Sequence, residues 1–133
     1  MNSSPKPNAL AQDPVAAEHL ARVCADFAAA WEEALAGGAA LAFCESASNP
    51  TLEIIDLAAV ARLTHRAGGL FVVDNVFATP LLQQPLAQGA DVVVYSATKH
   101  IDGQGRCLGG AILGSEKFIS DDPRPRRRHT QPL

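Results

Sequence analysis

The sequence predicts an α/β fold, a mainly parallel sheet with flanking helices, and three observations predict it. Short apolar runs (ALAFCES, LFVVDN, DVVVYS) alternate with longer segments of helical period. The runs are continuously apolar rather than alternating, as in strands of a parallel sheet. Each ends in a polar residue, Glu45, Asp74 or Ser96, at the carboxyl end of the strand, where ligands of such sheets gather.

The elements follow in order. Residues 1–14 are rich in Pro, Ser and Asn and predict a flexible lead-in. From Val15 to Leu35, Val23, Phe27, Trp31 and Leu35 recur at helical spacing, and Gly37 and Gly38 supply the stop. ALAFCES predicts a buried strand, and SNPT a turn, since the residue before proline disfavours helix. Leu57 to Ala67 predicts a second helix, with Asp56 as N-cap, Val60, Leu63 and Thr64 on its apolar face, and Gly68-Gly69 as its end. LFVVDN is a second strand, meeting polarity at Asp74. TPLLQQPLAQGA predicts a short helix opened by Thr79-Pro80 and interrupted by Pro85. DVVVYS is a third strand and GGAILGS a candidate fourth. One domain thus spans residues 15–119, followed by a Pro/Arg-rich, disordered tail over 120–133.

At 133 residues and 47% hydrophobic, the chain has the length for one small domain with a core, not for separate cofactor and substrate domains. No run of about 18 apolar residues predicts a membrane span. The opening MNSSPKPNALAQDP has no basic region followed by an apolar core, so no secretory signal is read and a cytoplasmic location is expected. Cys24, Cys44 and Cys107, without a CxxC, predict neither a disulfide framework nor a metal site. The net charge is −3, and Arg124, Arg126, Arg127 and Arg128 in the tail leave the rest of the chain more acidic still. A nucleic-acid-binding body is therefore not expected.

Chemistry concentrates in YSATKH. Lys99 is either a solvated loop charge or an amine held as a nucleophile. The hydroxyls of Ser96 and Thr98, with nearby backbone N–H groups, suit a phosphate. Asp74 follows four apolar residues, where a carboxylate is costly without a positive partner; it is either a turn residue or the partner of a protonated ring nitrogen. A Schiff-base lysine, a carboxylate for the ring nitrogen and a phosphate cradle are what pyridoxal phosphate requires. Ser96-Ala97-Thr98-Lys99 is also an S-x-x-K pattern, but that pattern should open a helix and be joined by S-D-N and K-T-G, which the sequence lacks. Asn49 before Pro50 reads as a turn residue, and Gly103 and Gly105 as loop glycines without a nucleotide fingerprint. His100 is assigned no role, and Arg106 is left to a sheet edge or a partner subunit.

The stretch ESASNPTLEIIDLAAVARLTHRAGGLFVVDNVFATPLLQQPLAQGADVVVYSATKHIDGQGRCLGGAILGSEKFI resembles the pyridoxal-phosphate enzymes of cysteine and methionine metabolism. The phrase SATKHIDGQGR is most similar to the O-succinylhomoserine sulfhydrylases, with cystathionine γ-synthases and γ-lyases as near relatives. The resemblance implies part of the large domain of a fold-type I, aspartate aminotransferase-like enzyme. It implies that Lys99 forms the Schiff base and moves protons, that Asp74 pairs with the pyridine nitrogen, that Ser96 and Thr98 bind the phosphate, and that Asn49 lies near the phenolic oxygen. It implies γ-replacement on a small amino-acid substrate, sulfide displacing succinate from O-succinylhomoserine to give homocysteine, in a homo-oligomer that is a tetramer in the family. Ala47 replaces the proline of the usual ESPSNP. Family members are longer, and bring an N-terminal arm, a tyrosine stacked on the ring and a C-terminal arginine for the substrate carboxylate, none of which has a counterpart here. A truncated, inert remnant is accordingly the rival expectation, with an exposed sheet edge and an unburied apolar face.

Overall fold

The computed structural model describes residues 14–120. The expected lead-in up to residue 13 and the tail from residue 121 lie outside the described residues, as do the side chains of several α1 residues, Cys24 among them. The element order is α1 (Pro14–Leu35), β1 (Leu41–Glu45), α2 (Leu57–Arg66), β2 (Leu70–Asp74), α3 (Thr79–Leu82), a 3-10 turn (Pro85–Gln88), β3 (Val92–Ser96), a helical turn (Ala97–Ile101), β4 (Gly110–Gly114) and α4 (Glu116–Ser120).

The four strands form one sheet in the order β1-β2-β3-β4. β1, β2 and β3 run parallel, since α2 carries the chain back between the first two and the α3 segment between the next two. β4 is antiparallel to β3, with Ser96 opposite Gly110 and Val92 opposite Gly114. The Gly-rich segment thus folds straight back along the edge without a crossover helix.

α2 forms as the sequence predicts and for the predicted reason. The Asp56 carboxylate accepts the N–H of Ala59 at 2.9 Å, and Leu57, Val60, Ala61, Leu63 and Thr64 form its buried stripe. The chain leaves α2 through Gly68 at φ +80°, where a side chain would be strained. Gly69 follows because a Cβ there would meet the Ala39 carbonyl oxygen at 2.6 Å. The buried side chains of Ala42, Cys44, Phe71, Val73 and Val93 face α2, with Phe27 and Trp31 of α1 packed behind. Phe71, Val60 and Val73 are fully buried, each worth roughly 1.5–3 kcal/mol relative to exposure. Asp91 locks the start of β3 to this layer, accepting from the Phe71 N–H at 2.7 Å and contacting His65 Nε2 at 2.8 Å.

The opposite face is mostly open. Leu41, Phe43 and Ile112 are 54%, 52% and 64% exposed, and Leu70 lies beside them. At the far end, among the described residues, the Phe118 ring of α4 lies where a Cβ at Gly114 would meet it at 3.3 Å. Continuously apolar runs predict cover on both faces, and among the described residues one face has it.

Candidate functional site

The parallel strands deliver their carboxyl ends to one edge, and the register fixes what meets there. Glu45 pairs directly with Asp74, and Asp74 with Val94. Ser96 is therefore not level with Asp74 but two residues further along β3, about 8 Å away by strand rise and spacing. By strand alternation Glu45, Asp74 and Ser96 share the open face. Asn49 follows β1 and Lys99 follows β3, the two strands that pair on either side of β2 and its Asp74.

Each side chain has a local reason for its position. Asp74 Oδ1 accepts the Val76 N–H at 2.9 Å, closing a turn as β2 ends, and no partner reaches Oδ2 among the described residues. Asn49 donates its backbone N–H to Glu45 Oε2 at 3.0 Å and keeps its amide side chain exposed, next to a cis bond to Pro50. Beyond Ser96 the chain makes a single helical turn rather than the helix that S-x-x-K requires. At Lys99 (φ −92°, ψ −111°) the backbone leaves helical geometry, and its side chain is exposed. The turn is tied down from both sides: the Ala97 N–H donates to the Gly109 carbonyl at 2.9 Å, and the Gly103 N–H to the Lys99 carbonyl at 2.8 Å.

Thr98 is engaged differently from the expectation. Its Oγ1 accepts the Gly109 N–H at 3.2 Å and lies 3.4 Å from the Gly109 carbonyl, so it closes the loop back onto β4. Asp102 holds the next turn, its Oδ2 accepting the Arg106 N–H at 2.7 Å and the Gln104 N–H at 3.3 Å. Those donors, Arg106 first, hold the Asp102 carboxyl below its ordinary range. Gly103 (φ +72°) and Gly105 (φ +66°) give this turn its shape, which is more than loop filling. His100 meets the Phe77 ring edge-on at 6.2 Å, joining the Lys99 turn to the loop after Asp74.

The strand assignments missed a second layer of polar residues. Asn75 is fully buried, and its Nδ2 lies 3.1 Å from the Thr79 carbonyl, 3.0 Å from the Gln83 carbonyl and 2.9 Å from the Tyr95 hydroxyl. The signal was available in period two. Asn75 and Tyr95 continue the inward-facing positions of Val73 and Val93, so a polar group at either had to be buried. Of the cysteines described, Cys44 is buried, which pushes its thiol up to about 11, while Cys107 is exposed.

The residues present fit pyridoxal phosphate. A solvent-facing amine at Lys99, an uncommitted carboxylate oxygen at Asp74 and the Ser96 hydroxyl are the donor set its aldehyde, ring nitrogen and phosphate call for. Asn49 follows the strand on the other side of β2 from β3 and its Lys99 turn, and Thr98 is the one whose hydroxyl is already occupied.

The sequence model of the Cys/Met metabolism PLP-dependent enzymes matches residues 15–128. The chain is 56% identical over 102 residues to the O-succinylhomoserine sulfhydrylase of Mycobacterium tuberculosis, covering 77% of this chain and 25% of that protein. It is 48% identical over 81 residues to the chloroplastic cystathionine gamma-synthase 1 of Arabidopsis thaliana, covering 61% and 14%. Among solved structures, an apo methionine gamma lyase from Micromonospora echinospora superimposes with a TM-score of 0.64 at 47% identity, covering 67% of this chain and 25% of that one. The chain thus spans about a quarter of the sulfhydrylase it matches.

Proposed function

The chain belongs to the Cys/Met metabolism PLP-dependent enzymes, and on that premise we propose that it carries the cofactor-holding strand ends of an O-succinylhomoserine sulfhydrylase. The observation that carries the reading is the difference in identity, 56% to a sulfhydrylase against 48% to a cystathionine gamma-synthase. The reaction is γ-replacement: succinate leaves the γ-carbon of O-succinylhomoserine with the electrons of the C–O bond, and hydrogen sulfide then adds at that carbon to give homocysteine. A homo-oligomer and a cytoplasmic location go with it.

Pyridoxal phosphate, when bound, supplies an electron-poor ring that takes up the electron pair left by a departing α-proton. Everything else falls to the chain. Lys99 Nζ is the amine that would hold the cofactor and would move protons at the substrate's α- and β-carbons. Asp74 Oδ2 would pair with the ring nitrogen and keep its proton in place. Ser96 Oγ would donate to the phosphate, and Thr98 Oγ1 would join it by turning its proton away from the long contact with Gly109. The Asn49 amide would donate to the phenolic oxygen.

Borohydride reduction of the purified chain with pyridoxal phosphate, followed by peptide mapping, tests the site. The expected result is a stoichiometric label on Lys99 that Lys99→Ala abolishes. Comparable labelling of Lys6, Lys99 and Lys117 would refute it and favour the inert remnant. Incubation of a labelling-competent chain with O-succinylhomoserine and either sulfide or cysteine then separates the two chemistries. Homocysteine from sulfide supports the sulfhydrylase, and cystathionine from cysteine alone would replace it.

A further inference from the structure

We propose that the buried row Ser46–Asn75–Tyr95, centred on Asn75, positions the cofactor-holding edge; the inference rests on the cofactor reading above. The pairing of Glu45 with Asp74 and of Asp74 with Val94 makes Ser46, Asn75 and Tyr95 the next row across all three parallel strands. The ladder continues through it, with the Ser46 N–H donating to the Asp74 carbonyl at 2.8 Å and the Asn75 N–H to the Val94 carbonyl at 3.1 Å. All three side chains turn into the helix-covered layer, 1%, 0% and 8% exposed.

Apolar residues would fill such a row at no desolvation cost, whereas polar ones need partners. Asn75 has them from two directions. Its Nδ2 reaches the Thr79 and Gln83 carbonyls of the loop after β2 and the Tyr95 hydroxyl of β3. The amide has two protons for three acceptors, so it is shared among them and holds all three at once. Ser46 Oγ and Asn75 Oδ1 are buried and, among the described residues, meet no hydrogen-bond partner.

The placement gives the row its consequence. Asn75 follows Asp74 and Tyr95 precedes Ser96, each one residue away on the opposite face. Neighbouring Cα atoms sit a fixed ~3.8 Å apart across a trans peptide, so fixing Asn75 to Tyr95 fixes Asp74 relative to Ser96 and to the Lys99 turn beyond it. Asn75 and Tyr95 touch neither ligand nor reacting atom; they are positioning residues.

Tyr95→Phe is the test, because it removes the hydroxyl, keeps the ring in its packing and leaves Asn75 both carbonyl acceptors. The readouts are half-saturation by pyridoxal phosphate and the ratio of borohydride label on Lys99 to that on remote Lys117, with far-UV circular dichroism as control. The row predicts at least a tenfold rise in half-saturation and a labelling ratio falling towards one, with an unchanged dichroism spectrum. Unchanged half-saturation and ratio would overturn the positioning role alone, because Lys99 would still be labelled. Absence of selective Lys99 labelling in the unsubstituted chain would overturn the cofactor reading and this inference with it. Should Tyr95→Phe not fold, amide exchange in the unsubstituted chain decides. Slow exchange at Ser46 and Asn75 supports the row, and exchange as fast as at exposed Gly105 overturns it.

Discussion

Asp74→Asn separates the turn bond of Asp74 from its proposed pairing with the ring nitrogen. The asparagine keeps a side-chain oxygen for the Val76 N–H, which Asp74 Oδ1 accepts at 2.9 Å, so the turn that ends β2 survives. What disappears is the charge opposite a protonated ring nitrogen. A unit pair at about 4 Å and an effective dielectric near 20 is worth about 4 kcal/mol. Asp74 is partly exposed on the uncovered face, and solvent screening there takes away roughly half. About 2 kcal/mol remains, which is about a thirtyfold weakening of pyridoxal phosphate binding at 1.4 kcal/mol per decade. Absorbance titration of the purified variant measures it, and the urea midpoint should stay where it was. Asp74→Ala should weaken binding similarly and also lower stability by about 1 kcal/mol through the lost turn bond. Equal affinity for Asp74→Asn and the unsubstituted chain would refute the ring-nitrogen role, and with it the assignment of this edge to the cofactor.

Two further outcomes are expected. Gly69→Ala should cost about 1–3 kcal/mol in a urea melt, since its Cβ would lie 2.6 Å from a backbone oxygen, while Gly37→Ala, with nothing within 4 Å, should be neutral or slightly stabilising. In thiol titration at pH 8, Cys107 should react and Cys44 stay protected, because burial raises the Cys44 thiol from 9.0 to about 11. The unfolded chain releases that proton first. The Cys44 contribution is therefore complete below pH 9 and lost as pH rises towards 11, and a urea midpoint that does not fall across that interval contradicts it.

Where the sequence was legible, local physics was decisive. Asp56, the apolar stripe of Leu57, Val60 and Leu63, and Gly68-Gly69 state where α2 begins, what it buries and where it ends. The strands were legible as apolar runs, and Asp74, Ser96 and Lys99 as polar groups at their ends. The direction of β4 was not, because Gly110–Gly114 carries no signal of its own and its pairing is set by the loop that Thr98 closes onto Gly109. The offset of Ser96 from Asp74 is a matter of register, which no single strand contains. Thr98 reads as a free hydroxyl until its partner eleven residues away is known. Asn75 looks like the polar end of a strand until alternation is carried one residue further and places it in the core. The short helix Glu116–Ser120 has no buried residue to announce it.

The open sheet face has a thermodynamic consequence. Phe43, Leu41 and Ile112 occupy the same side of the sheet as Asp74 and Ser96. Whatever layer removes those apolar groups from water also removes water from around the Asp74 carboxylate, lowering the dielectric in which it meets a cation. Covering the sheet and holding the ligand are therefore one linked equilibrium, and linkage is reciprocal. By the factor that a covering layer tightens cofactor binding, the cofactor must tighten the grip of that layer.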